Sequence, residues 1–435
     1  MTQRFSLPVR AAAAVLLACT LAACAASRGT SAAQAPDASS PAAKPATADA
    51  HRSVLLVSLD GFRADYLDSG LAPNLSRIAR EGVRAQGMTP SYPSLTFPNH
   101  YTLVTGLVPD HHGMIHNTMR DPALGAFKLS DRRAVGEGRW WGGEPVWVGA
   151  EKAGLRAATM YWPGSEAAIA GVRPTRWYAY EDGKAMPLPE RIDTVLGWLS
   201  EPDATRPRFA TLYFETVDHD AHAWGPDSPQ AHAAVRTVDT QIGRLLEGLD
   251  ARGLRDRVEL IVVSDHGMAT VPRSHLIAVE DVLTREEAKV VTIGQVITVQ
   301  PNPGFEAVVE RKLLGPHEAY DCWRKGELPV RWRYGTHPRI PPIVCQMHEG
   351  WDMLPREVVA QRPDHDRGSH GYDPALPSMQ ALFVARGPSF KPGVVLPRFP
   401  NTDVYPLLAR LVGIRPASND GDIAPLLPAL RDPAP

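Results

Sequence analysis

The sequence has few cysteines, no basic run and no apolar stretch long enough to span a bilayer comfortably. Lys and Arg total 46 against 48 Asp and Glu, for a net charge of −2 at pH 7. That balance argues against a nucleic-acid-binding surface, though not against small nucleotides as substrates. Only four cysteines occur in 435 residues, and Cys19 and Cys24 fall in an export-like N-terminus. Cys322 and Cys345 remain for the mature chain, and a bridge between them is expected outside the cytoplasm. No internal repeat is visible. With 44% hydrophobic and 22% charged residues, the chain can build a sizeable core.

What is present begins with an address. Arg4 and Arg10 flank a short start, and "AAAAVLLACTLAAC" supplies an apolar stretch ending in small residues, as a secretory signal does. Leu21-Ala22-Ala23-Cys24 resembles a bacterial lipobox, which implies a lipid on Cys24 and a periplasmic, membrane-anchored protein. An ordinary signal peptide cut nearby is the other reading. Residues 1–24 are thus taken as the signal segment and residues 25–50, rich in Ala, Ser and Pro, as a flexible tether. From 51 to 435, strand-like runs alternate with helical patterns. "SVLLVSLDG", "RFATLYFETVDHD" and "RVELIVVSDHG" read as buried parallel strands. "LAPNLSRIAREG" and "SPQAHAAVRTVDTQIGRLLEGLDARG" read as helices. The alternation predicts an α/β fold with a mostly parallel central sheet and helices on both faces. Residues 270–370 are less regular and are expected to form a smaller inserted subdomain.

Three of the strands end in acidic or histidine residues: Asp60, Asp218 and the pair Asp265-His266. Ligands in open α/β sheets bind at the carboxyl ends of strands, so these residues should converge. His222 follows Asp218 by four positions, one helical turn, and His370 sits in the loop "DRGSHGY". Each element alone is common in turns and helix caps. Together the aspartates and histidines suffice to ligate two zinc ions through oxygen and nitrogen. Thr96 precedes Phe97-Pro98 where a helix begins. There it reads either as a cap or as a hydroxyl set among unpaired N–H groups that suit a phosphate.

The ordered set "SLDGFRADYL", "PSLTFPNHYTLVTGLVPDHHGMIHN", "ETVDHDAHAWGP", "VVSDHGM" and "GSHGYD" resembles the nucleotide pyrophosphatase/phosphodiesterase family of the alkaline phosphatase superfamily. An exported bacterial member is implied. The resemblance places one zinc on Asp60, Asp265, His266 and the Thr96 oxygen, and the other on Asp218, His222 and His370. It makes Thr96 the nucleophile of a covalent threonyl intermediate, with release of nucleoside 5'-monophosphates. Asn117 would hold a phosphate oxygen, helped by the backbone N–H near Phe97. Phe97, Tyr180 and Tyr213, with Leu129 beside them, would line the nucleotide pocket, although Tyr213 also suits the core. Sulfatases are set aside because Thr96 is followed by Phe-Pro-Asn, and phosphomonoesterases because no arginine follows until Arg120. His111, His112 and His116 are assigned to loop hydrogen bonding. The alternative function is a lipid or choline-phosphate diesterase sharing the metal site; an inactive binding protein is disfavoured by the complete ligand set. The sequence does not specify an oligomeric state.

Overall fold

The stretch read as the first buried strand, Ser53–Leu59 (β1), is buried at every position. It lies at the centre of an eight-stranded sheet. The structure, a computed structural model, describes residues 52–181 and 183–431. The signal segment, Cys24 and the whole of the tether fall outside the described residues. The other strands of this sheet are Val83–Ala85 (β2), Ala157–Met160 (β3), Arg176–Tyr178 (β4), Phe209–Phe214 (β5), Val258–Val263 (β6), Phe383–Arg386 (β7) and Val394–Leu396 (β8). Their order is β8-β2-β7-β6-β1-β5-β3-β4. All share one direction except β7, which runs antiparallel to both β6 and β2.

The main helices are Pro73–Glu81 (α1), Thr96–Thr105 (α2), Leu188–Leu199 (α3), Thr216–Trp224 (α4), Pro229–Ala251 (α5) and Val404–Val412 (α6). The alternation of β1 divides the core in two, because successive side chains leave a strand on opposite faces. Val54 and Leu56 pack with Leu103 of α2 and Leu407 of α6. Leu55 and Val57 pack with Ile78 of α1, Ile192 of α3 and Ile242 of α5. Helices therefore cover both faces, which is why the central strands read as continuous apolar runs. Among the described residues no helix is long and apolar enough to cross a membrane.

A second, five-stranded antiparallel sheet takes its strands from Ala288–Thr292, Val296–Pro301, Gly315–Pro316, Tyr320–Arg324 and Ile343–Met347. It has its own apolar cluster, including Ile297, Val299, Val309 and Ile343. Cys322 and Cys345 face each other across one strand pair and are joined by a disulfide.

Candidate active site

The site forms where β1, β5 and β6 end. Asp60 follows β1 directly, and its carbonyl accepts the Asp218 N–H at 3.1 Å, tying the start of α4 to the end of β1. Gly61 turns the chain away with φ at 66°. Asp218 and His222 lie one turn apart in α4, with Asp218 Oδ1 3.5 Å from His222 Nε2. Asp265 and His266 follow β6 and are fully buried. His370 arrives from far along the chain directly after the strand Arg367–Ser369, which pairs with Ala269–Val271 just beyond His266. The imidazoles of His266 and His370 consequently stack at 3.6 Å.

Two candidate metal-binding groups result: Asp60, Asp265 and His266, and Asp218, His266 and His370. His266 belongs to both, which the sequence did not indicate. His222 completes the neighbourhood of Asp218, as does His370, whose Nε2 is also 3.5 Å from Asp218 Oδ1. Among the described residues, Asp60 Oδ1, Asp218 Oδ1 and Asp265 Oδ2 are buried and accept no hydrogen bond. Unpaired carboxylate oxygens in a protein interior are costly unless a cation meets them. The histidines are oriented for the same purpose. His222 Nδ1, His266 Nδ1 and His370 Nδ1 each lie 2.9 Å from a backbone carbonyl, of Gly368, Gly267 and Ser94 respectively. The carbonyls take the Nδ1 protons and leave each Nε2 a lone pair for the cluster. Oxygen and imidazole donors in this arrangement fit a divalent cation.

The electrostatics reflect the crowding of these groups. Against burial, the Asp265 carboxylate 2.9 Å from His266 Nε2 raises the His266 imidazole, and His266 with His100 holds Asp265 well below the usual carboxylate range. Burial, reinforced by Asp265 and Asp218, pushes the Asp60 carboxyl well above the usual carboxylate range. Burial and the adjacent His266 and His222 hold His370 well below the ordinary imidazole value, so it is neutral and able to ligate.

Thr96 is the first residue of α2, but it is not the cap. Leu95 occupies the N-cap position, and no side chain caps this helix. The Thr96 Oγ1 instead lies 3.4 Å from His266 Nε2, at the edge of the cluster. The Phe97 N–H, expected as a free donor beside Asn117, is bonded to Asn117 Oδ1 at 2.9 Å. That bond leaves the Asn117 NH2 as the donor end of the amide. A cavity of about 640 Å³ opens over the cluster, and Thr96, Phe97, Leu129, Tyr180 and Tyr213 all line it. Tyr213 does more than offer a ring: its hydroxyl donates to Asp60 Oδ2 at 2.6 Å, and its ring meets Tyr180 edge-on.

Sequence reasoning missed several residues. His100, one turn beyond Thr96 in α2, contacts the Thr96 carbonyl through Nδ1 at 2.9 Å and lies 3.3 Å from Asp265 Oδ2. Ser58 Oγ holds its other nitrogen at 2.8 Å. The four-residue spacing from Thr96 was the available signal. Trp162 and the Arg132–Glu166 ion pair also line the cavity. His111, His112 and His116 make hydrogen bonds to Asp420, Thr102 and the Thr118 N–H, in keeping with the loop role read for them.

This sheet, with acidic and histidine ligands at its strand ends, defines an alkaline-phosphatase-like hydrolase. The model of the family "Type I phosphodiesterase / nucleotide pyrophosphatase" matches residues 54–373, and the chain belongs to that family. It is 37% identical over 397 residues to an uncharacterized pyrophosphatase/phosphodiesterase of Schizosaccharomyces pombe, covering 87% of this chain and 81% of that protein. It is 36% identical over 391 residues to human ectonucleotide pyrophosphatase/phosphodiesterase family member 1, covering 87% of this chain and 42% of the relative. A venom phosphodiesterase of Macrovipera lebetinus is 35% identical, again over 87% of this chain and 45% of the relative. The chain thus spans under half the length of these two animal relatives. The structure of an inactive Thr-to-Ala variant of murine ectonucleotide pyrophosphatase/phosphodiesterase 5, in complex with AMP, superposes with a TM-score of 0.82. That match has 32% identity and covers 87% of this chain and 100% of that one.

Proposed function

We propose that the chain is an exported, zinc-dependent nucleotide pyrophosphatase/phosphodiesterase that releases nucleoside 5'-monophosphates through a threonyl intermediate. One observation carries the reading: a threonine hydroxyl that caps nothing sits beside unpaired carboxylate oxygens and oriented imidazoles at the floor of an aromatic-lined cavity. Asp60, Asp265, His266 and Thr96 would hold one zinc, and Asp218, His222 and His370 the other. The cations supply Lewis acidity toward the threonine hydroxyl and the phosphoryl oxygens. Thr96 Oγ1 attacks phosphorus as the leaving oxygen departs in line, and water then cleaves the threonyl–nucleotide ester and restores the hydroxyl. The Asn117 NH2 donates to a non-bridging oxygen as negative charge accumulates on it. Phe97 and Tyr180 stack on the base, with Leu129 at the rim. Tyr213 holds Asp60 in place.

The AMP bound to the murine relative supports a nucleotide substrate. Export, a lipid on Cys24 and a periplasmic location belong to the same proposal and rest on the N-terminal sequence. The limits drawn for the tether and for the 270–370 subdomain belong to the proposal as well, and rest on the composition of residues 25–50 and the less regular pattern of residues 270–370.

The test is hydrolysis by the full chain of nucleotide pyrophosphates, glycerophosphocholine and phosphomonoesters, before and after chelation and with zinc restored. Nucleotide diesters should be preferred, chelation should abolish turnover, and elemental analysis should find zinc. Thr96→Ala should fold and retain metal yet lose activity by orders of magnitude, and Thr96→Ser should keep part of it. Near-normal turnover by the alanine variant would remove Thr96 from the chemistry. A preference for glycerophosphocholine would move the substrate class to lipid-derived diesters.

A further inference from the structure

Helix α4 runs across the reaction centre and gives it two unlike ends. Beside its N-terminus, Glu215 and His219 line both the reaction cavity and an adjoining cavity of about 450 Å³, and Tyr180 lines both as well. This is the aromatic end. Asp218 and His222 occupy the middle of the helix. At its C-terminus Ala223 lines the reaction cavity together with Arg367. The next residue, Trp224, is 45% exposed and stacks on His365 at 4.8 Å, and His365 Nε2 reaches the Ala223 carbonyl at 3.1 Å. A helix of nine residues spans roughly 13 Å at 1.5 Å per residue, enough to separate the two halves of a diester on either side of one phosphorus.

The two ends also differ in charge. Glu166, Glu181 and Glu215 line the cavity, and the guanidinium of Arg132 is committed to Glu166. Arg367 carries no ion pair among the described residues. Its charged neighbours are Arg362, of like sign, and the buried Asp352, whose carboxylate accepts a hydrogen bond from Gln295. An anion reaching Arg367 displaces no carboxylate and relieves the repulsion between two guanidinium groups. A planar guanidinium is also suited to bidentate capture of phosphate.

We propose that Arg367, backed by Arg362 and flanked by the Trp224–His365 pair, is the subsite for a phosphate-bearing leaving group. Such groups include the pyrophosphate of a nucleoside triphosphate and the phosphorylated half of a dinucleotide. The inference rests on the nucleotide reading above and adds to it how the half of the substrate that departs is recognised. In an in-line displacement the nucleoside ester stays on phosphorus while the leaving group departs opposite the nucleophile. The halves therefore diverge, one toward Tyr180 and the other toward Arg367.

The experiment holds the nucleoside fixed and varies the charge that leaves. Thymidine 5'-monophosphate 4-nitrophenyl ester, thymidine diphosphate and thymidine triphosphate are given to the zinc-loaded full chain and to Arg367→Ala, Arg367→Gln and Arg367→Lys. The ratio of wild-type to Arg367→Ala kcat/KM should be at least tenfold larger for the triphosphate than for the nitrophenyl ester, with the difference mainly in KM. Arg367→Lys should recover part of it. Arg367→Gln keeps the side-chain bulk and should follow Arg367→Ala, so a packing defect in one variant does not decide the result. Equal losses on all three substrates, or no loss, would overturn the subsite while leaving the nucleotide reading intact. Failure of the wild type on all three thymidine esters would overturn the nucleotide reading and the subsite with it.

Discussion

At the scale of single residues, the cluster depends on what holds each ligand from behind. Three imidazoles are held by backbone carbonyls, and Asp60 by a phenol. Tyr213→Phe keeps the ring in place and removes only the 2.6 Å hydrogen bond to Asp60 Oδ2. Loss of such an outer partner typically costs 10- to 100-fold in metal affinity or activity. The phenylalanine variant should therefore bind zinc about tenfold or more weakly, read by competition with a chelating dye, while its melting temperature changes little. Wild-type zinc affinity would leave Tyr213 with only a packing role. Asp60, Asp265, His266 and Asp218 were legible in the sequence because a strand written as an apolar run announces where it ends. Tyr213 was legible as an aromatic but not as a hydrogen-bond donor. Its position inside an apolar strand hides which neighbour its hydroxyl meets. His100 was hidden for a similar reason, since its partners come from β1, α2 and the loop after β6.

At the scale of elements, α4 and the strand Arg367–Ser369 must lie almost in contact for His222 and His370 to share Asp218. Gly368 makes this feasible: a Cβ there would collide with the Ala221 carbonyl of α4. Gly368→Ala should push the helix and strand apart, weaken zinc binding and reduce kcat/KM at least 100-fold. The overpacking should also cost about 1–3 kcal/mol of stability, measurable by denaturant titration. Full activity in that variant would show that the two elements tolerate wider spacing. The disulfide acts within the second sheet. Cys322 and Cys345 are 23 residues apart, and a loop of that size loses roughly 3 kcal/mol of unfolded-state entropy when closed. Replacing both cysteines by serine should lower the melting temperature accordingly, with zinc affinity retained. The strands and helices of the main sheet were readable from periodicity. The reversed direction of β7 was not, because strand direction is set by which crossover precedes it, and nothing in Phe383–Arg386 records that. "VVTIGQVITVQ" looked irregular because its alternation is interrupted by a register shift between Val290 and Thr292.

At the scale of the whole molecule, stability should carry a pH signature from Asp352. Burial pushes this carboxyl up to about 6, against the opposing influence of Arg362 and Gln295. The unfolded chain releases that proton near pH 3.9, so between about pH 4 and 6 the folded form binds more protons. Stability therefore falls as pH rises through this window, and the loss is complete above about 6. It amounts to on the order of 2–3 kcal/mol for a two-unit shift. Asp352→Asn removes the ionisation, so it should gain melting temperature relative to wild type at pH 8 but not at pH 4.5. A difference independent of pH would show that Asp352 does not titrate in that window. One further consequence follows from the order in which the cluster's members occur along the chain. Asp60 and Thr96 come early, His222 and His266 midway, and His370, which leans on Ser94 from 276 positions away, near the end. A polypeptide emerging from the ribosome or a translocon N-terminus first holds its carboxylates long before it acquires its last imidazole. The group Asp60, Asp265 and His266 is complete once residue 266 has been delivered, whereas the group Asp218, His266 and His370 has to wait for His370, so the two halves of the cluster are assembled in sequence and not together.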